Sequence, residues 1–174
     1  MAPIVAVAVV AVAAVAVAAH ASTVIVLPLP QLRARADVVV HARVTAQHVD
    51  AAAGARPVTY TTLHVLDAEQ GAVAGDDLVV YQPGVLDGVR VRWIAGAHVF
   101  HVGDDVVFIG QRLAHDGRSV VVAMAPGVGV FDVRHAGARV ALLVEDGGIV
   151  DATTGAVVSG RTFASVRALY EATR

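Results

Sequence analysis

The chain has 174 residues, 56% of them hydrophobic, with 13 basic and 15 acidic side chains and a formal net charge of -2. That length is one domain's worth of chain, enough to close a sizeable core, and the charge supplies no basic face of the kind a nucleic-acid backbone requires. There is no cysteine, which excludes disulfides, thiolate metal sites, a cysteine nucleophile and a lipoprotein anchor.

The apolar excess is concentrated at the start, in "MAPIVAVAVVAVAAVAVAAHAS", and no charged side chain precedes Arg33. Ala19 and Ala21 form an A-x-A cleavage pattern before Ser22, so residues 1–21 are expected to be an export signal. A run of about 20 apolar residues would also serve as a membrane anchor if left uncleaved. In both cases residues 22–174 are expected outside the cytoplasm, secreted or periplasmic, as a single domain. Every basic residue is Arg. With the Ala, Val and Gly bias this points to a GC-rich bacterial genome, and alanine is therefore not read as a helix signal.

Taken in chain order, "LPLPQLRARAD" (27–37) predicts a short helix leading into a strand. "DVVVHARVTAQHV" (37–49) alternates, with Val38, Val40, Ala42, Val44 and Ala46 on one face, the pattern of a half-buried strand. Residues 50–57 read as a loop. "VTYTTLHVLDAEQG" (58–71) is β-rich with an inside face that switches near Thr62, which a bulge would explain. "LVVYQ" follows, with Pro83-Gly84 as its stop, and then "VRVRWI" (89–94), which places Trp93 in the core. "DVVFIGQRL" and "SVVVAMA" flank Asp116-Gly117, a type I′ hairpin signal. Further short strands follow in "VGVFDV", "ARVALLV" and "GIVDATTGAVV". The tail sets Phe163, Val166, Leu169 and Tyr170 on one face of a helix over 162–173, with Thr162 as its N-cap. Many short strands with turns every 8–15 residues predict an all-β fold, a small antiparallel barrel or sandwich with a C-terminal helix.

The most patterned carboxylates stand in two near-identical phrases, "VAGDDLVVYQ" (73–82) and "HVGDDVVFIG" (101–110). A calcium loop needs alternating oxygen ligands closing on a distal bidentate Glu, and neither phrase has them. The reading preferred is a tight turn at Gly75 and Gly103 followed by the launch of a buried strand, with Asp76, Asp77, Asp104 and Asp105 as its solvated corner. His98 and His101 are the one close histidine pair, but in an extended segment they diverge and no third ligand is apparent. His41, His48, His64, His115 and His135 are scattered singly. No G-x-S-x-G or G-x-G-x-x-G context occurs. No catalytic, cofactor or metal residue is therefore assigned.

The stretches "ADVVVHARVTAQHVD", "YTTLHVLDAEQG", "DDLVVYQPG" and "VGDDVVFIGQRLAHDGRSVVVA", between Ala36 and about Ala123, resemble the netrin-like module, the OB-type barrel of the tissue inhibitors of metalloproteinases. The resemblance implies an OB-like (netrin-like) β-barrel with extra strands beyond it. Inhibition in that family depends on an N-terminal cysteine that chelates the protease zinc. Here the mature N-terminus would be Ser22, so the fold carries over and the inhibitory residues do not. The expected function is that of an exported, non-catalytic binding or accessory module of the cell envelope. Its partner is a protein rather than nucleic acid, held on loops 50–57 and 83–101. The alternative is a secreted metal-dependent hydrolase using His98 and His101.

Overall fold

Pro30 sits in the first turn of the first helix, α1 (Leu29–Arg35), where a missing amide costs no intrahelical bond. The helix buries Leu29 and Leu32. The computed structural model describes residues 28–51, 57–86, 91–93, 97–124, 129–135, 141–145, 149–150, 157–158 and 162–174. The expected export segment 1–21 and most of the loop 50–57 lie outside the described residues. No helix among the described residues is long and apolar enough to cross a membrane.

Two long strands follow, β1 (Val38–Asp50) and β2 (Val58–Gln70), and then β3 (Asp77–Leu86) with a short partner β4 (Val91–Trp93). β5 (Asp105–His115) and β6 (Arg118–Ala123) form a hairpin. Its turn has φ of +49° at Asp116 and +73° at Gly117, the double positive φ expected of a type I′ turn. Next come β7 (Val130–His135), β8 (Ala141–Glu145), the small hairpin β9 (Ile149–Val150) with β10 (Val157–Val158), β11 (Thr162–Phe163) and α2 (Val166–Ala172).

The protein is all-β with a C-terminal helix, and its strands pair in a ring: β1 with β2, β2 with β3, β3 with β6, β6 with β5, and β5 back to β1. The ring differs from the antiparallel barrel expected. The contact between β3 and β6 is parallel and consists of the single pair Val80 and Val121, so the sheet is mixed and ring-like rather than a closed barrel. The extra C-terminal strands leave the ring at β5. There β7 takes the edge beyond β6 and carries β8 and β11 outward.

Each face of β1 and β5 is covered. Val38, Val40, Ala42, Val44, Val106 and Phe108 point into the ring with Leu63, Val65, Leu78, Val80, Phe100 and Val121. Val39, Val107 and Ile109 point outward, under Leu29, Leu32, Leu169 and Tyr170 of the two helices. Removing Leu169, which is fully buried, would cost about 2–5 kcal/mol. Gly110 is a requirement of this packing. A Cβ there would meet Phe108 Cε1 at 2.3 Å and the Val122 carbonyl oxygen at 2.5 Å.

Four local expectations change. The buried face of β2 runs through Thr59, Thr61, Leu63 and Val65 without a switch at Thr62. Opposite Thr62 the extra residue lies in β1, where the register slips between Val44 and Ala46 and leaves Ala46 exposed. Further along, the register slips twice more with the extra residue in β2, at Leu66 and at Glu69. Pro83-Gly84 does not stop β3. Pro83 still pairs with Val58 of β2, and the Gly84 amide faces β2 and donates to the Pro57 carbonyl. The missing Pro83 amide therefore faces the other edge, and β3 goes on to pair with β4 from Gly84. α2 starts four residues later than expected, with Ser165 as the N-cap accepting from the Ala168 amide, while Thr162 belongs to β11. Phe163, Val166, Leu169 and Tyr170 do share one packed face. The side chain of Trp93 lies outside the described residues.

Candidate functional site

The two acidic phrases fold into twin turns. Asp76 donates its amide to the Val73 carbonyl at 3.1 Å and accepts the Val73 amide on Oδ2 at 3.0 Å. Asp104 does the same with His101, at 3.0 Å and 2.8 Å. The glycine between has φ of +96° at Gly75 and +99° at Gly103, where an L side chain is strained. Each turn is then clamped to a neighbouring valine by a pair of main-chain bonds: Gly75 and Asp76 to Val65 of β2, Gly103 and Asp104 to Val44 of β1. The second aspartate reaches the residue before that valine. Asp77 contacts His64 Nδ1 at 2.9 Å, and Asp105 takes a bidentate bond from Arg43 at 2.7 and 3.0 Å. The four carboxylates are spent on two separate turns, each launching a strand.

The second turn closes a site. Residues 97–101 cross one end of the ring as a strap. Phe100 is driven into the core, and its carbonyl accepts from Gln47 Nε2 at 3.1 Å. The His98 carbonyl accepts from Gln82 Nε2 at 2.9 Å. His98 and His101 do not come together. The His98 ring is 2% exposed, with Nε2 3.3 Å from Asp132 Oδ1 of β7, and it meets Phe100 edge-on at 4.7 Å. His101 is exposed, with Nδ1 3.3 Å from Asp104 Oδ2. Among the described residues no group of three or more His, Asp or Glu is placed to hold a metal ion.

Where the strap meets β1, β5 and β7 there is an open groove of about 540 Å³, lined by Arg43, Val99, His101, Asp104, Asp105, Asp132 and Arg134 among others. Burial alone would raise the Asp132 carboxyl. Contact with His98, and then with Arg134, outweighs burial and holds it below the usual carboxylate value. Asp132 is thereby kept as an anion, with Arg134 at 3.5 Å. His98 completes the arrangement from behind, although neither of its ring nitrogens makes a well-formed hydrogen bond among the described residues. A second groove, about 420 Å³, runs between α2 and the ring past His41, Asp67, Glu69 and Tyr170. Glu69 there joins Arg33 at 3.3 Å and Arg174 at 3.0 Å, tying both chain ends of the described domain to β2. Burial first, and then Asp67 and Glu69, push the Tyr170 phenol well above its ordinary value.

Sequence reading reached His98, His101 and the acidic turns but missed Asp132 and Arg134. They stand one residue apart on an alternating strand, "VFDVRH", and that polar face was the available signal. It also missed a cluster of rings on the outside of the ring. Tyr60 lies directly opposite Tyr81 in the β2–β3 register, with ring centres 5.9 Å apart. His115, from the tip of the β5–β6 hairpin, sits 4.3 Å from Tyr81 and 6.5 Å from Tyr60. No protein-family model, curated protein or solved structure matches the chain.

Proposed function

We propose that the chain works outside the cytoplasm, secreted or periplasmic, as a non-catalytic binding module of the cell envelope. Its protein partner is held in the groove beneath the strap. The groove itself carries this reading. Its arginines stand beside carboxylates, Arg43 with Asp105 and Arg134 with Asp132, in an open trough rimmed by a segment stitched rigidly to the ring. Paired, partly exposed charges of this kind select a partner by complementarity rather than perform covalent chemistry. The described lining holds no hydroxyl or amine nucleophile, and a carboxylate held ionised is a weak proton donor at neutral pH.

Two further features support the wider reading. The five-strand ring with one weak junction is compatible with the partly open barrel of OB-type modules, and hence with the netrin-like resemblance of residues 36–123. The A-x-A pattern before Ser22 supports export, and the mature protein's first residue tests it.

A photocrosslinking residue at position 101 in the full chain, expressed in its source cells, tests the groove. One exported or envelope protein is expected to be captured. Arg134→Glu should abolish capture, and Arg167→Glu, on the exposed side of α2, should preserve it. Capture indifferent to Arg134→Glu would remove the groove as the binding surface. Stoichiometric zinc in protein purified without an affinity tag would instead count against the non-catalytic reading.

A further inference from the structure

We propose that Tyr60, Tyr81 and His115 form a second binding site, one for an uncharged carbohydrate chain, on the outer face of β2 and β3 and separate from the groove. Three ring side chains from three strands converge there, with centre separations of 4.3, 5.9 and 6.5 Å. A pair of tyrosines opposite one another is an ordinary means of stabilising a sheet. The histidine is not needed for that purpose. It stands at a hairpin tip, 4.3 Å from the Tyr81 ring, and a third of its side chain stays exposed. Its placement extends an aromatic surface that all three rings leave open to solvent.

The geometry of that surface selects among flat ligands. The rings are mutually tilted by 41°, 48° and 58°, so they present several faces at different angles rather than one flat platform. A planar nucleobase stacks on a flat ring face. A puckered sugar presents C–H groups to several tilted faces at once and turns its hydroxyls toward the rim. The rim supplies matching partners. The two phenols and the imidazole can each donate or accept, and Asp116 Oδ2, 3.4 Å from His115 Nε2, is a strong acceptor.

His48, directly opposite Tyr60 in the β1–β2 register, continues the row by one strand. The strand spacing of about 4.8 Å is close to the length of one pyranose unit, so the row suits consecutive sugars of a chain. Charge completes the assignment. Asp116 is balanced by Arg118, its near neighbour across the hairpin, which pairs with His115, and the whole chain is at -2. Neither the patch nor the protein offers the cationic surface a polyanion needs.

The test titrates the full chain with three neutral probes (chitohexaose, cellohexaose and maltohexaose) and two polyanions (a ten-residue thymidine oligonucleotide and a heparin oligosaccharide). It follows the Tyr60, Tyr81 and His115 ring signals by NMR, with affinities from calorimetry. At least one neutral hexasaccharide should shift all three rings. Tyr81→Ala should weaken that binding about tenfold, the share of one stacking contact. His115→Ala, at an exposed hairpin tip where folding is not at stake, should weaken it several-fold, and Arg134→Glu in the groove should leave it unchanged. Silence of the three rings toward every neutral probe at about 5 mM, where millimolar binding would register, overturns the proposal. So does a response confined to the polyanions, or sugar binding that survives both ring variants.

Discussion

If the two acidic phrases are the same turn made twice, replacing their glycines should have equal and independent consequences. Gly75 and Gly103 have φ of +96° and +99°, and a Cβ at either would find nothing within 4 Å. The cost of Gly→Ala is therefore conformational only. It is about 1–2 kcal/mol for forcing an L residue into that region, reduced by several tenths because alanine also stiffens the unfolded chain. With a urea dependence of about 2 kcal/mol per molar, each variant should lower the unfolding midpoint by roughly 0.5 M. The turns are clamped to different strands, one to Val65 and the other to Val44, so the double variant should lower it by the sum. Equilibrium urea unfolding followed by circular dichroism, with and without a chelator, measures all of this. A midpoint for the unmodified protein that falls on chelation would refute the reasoning. So would a double variant no worse than either single one, since both results would mean that the turns share an ion.

Two further outcomes follow from the same structure. Asp132 is depressed in the folded state, so its contribution to stability is complete above the ordinary carboxylate value of 3.8 and is lost as the pH falls through the lower folded value. Asp132→Asn should be less stable than the parent near neutrality, and the two acid-unfolding curves should converge below about pH 4; parallel curves would show that His98 and Arg134 do not hold the carboxylate. Ser165→Ala should destabilise by about 1 kcal/mol through loss of the α2 cap, whereas Thr162→Ala, exposed in β11, should change stability by less than about 0.5 kcal/mol in thermal unfolding.

The strands were legible wherever one face is wet, because alternation reports a half-buried sheet. Two strands were legible by their β-branched runs rather than by alternation. "DVVV" and "DVVFIG" are continuous apolar runs because Val39, Val107 and Ile109 lie under helices while their neighbours fill the ring. Burial on both faces erases the alternation. β3 passes through Pro83 because a missing amide matters only on a paired edge, and which edge is paired is a property of topology. The late start of α2 reflects competition, since Thr162 and Phe163 gain a strand partner in β8 before Ser165 can cap. Registers were the least legible. Nothing in "VTYTT", "LVVYQ" and "LAHDG" says that Tyr60, Tyr81 and His115 meet, because each pairing is fixed by strands far apart in the chain. The groove was half legible for the same reason. His98 and Asp104 drew notice as a local pattern, and Asp132 had no local pattern to belong to.

Among the described residues, the two helices cover part of the ring and leave the rest of its surface open. Helices α1 and α2 occupy the outer face of β1 and β5 through Leu29, Leu32, Leu169 and Tyr170, and β7 extends the same layer with Phe131 and Val133. What remains open in the described ring is the outside of β2 and β3, the hairpin tip at 115–118, and the end crossed by the strap. The open outer face carries Tyr60, Tyr81 and His115, and the strapped end carries Arg43, Asp132 and Arg134. Side chains on a rigid sheet hold their positions better than those on free loops. Tyr60, Tyr81, Arg43, Asp132 and Arg134 stand on strands whose alternate residues, Thr59, Thr61, Val80, Ala42, Val44 and Val133, are locked in the core, and His115 leans on Tyr81 from the hairpin tip. A chain without cysteines has no cross-link with which to fix a binding surface, and here the two-sided core does that work: the packing that fills the ring also fixes the angle at which each outward ring and each groove charge is presented.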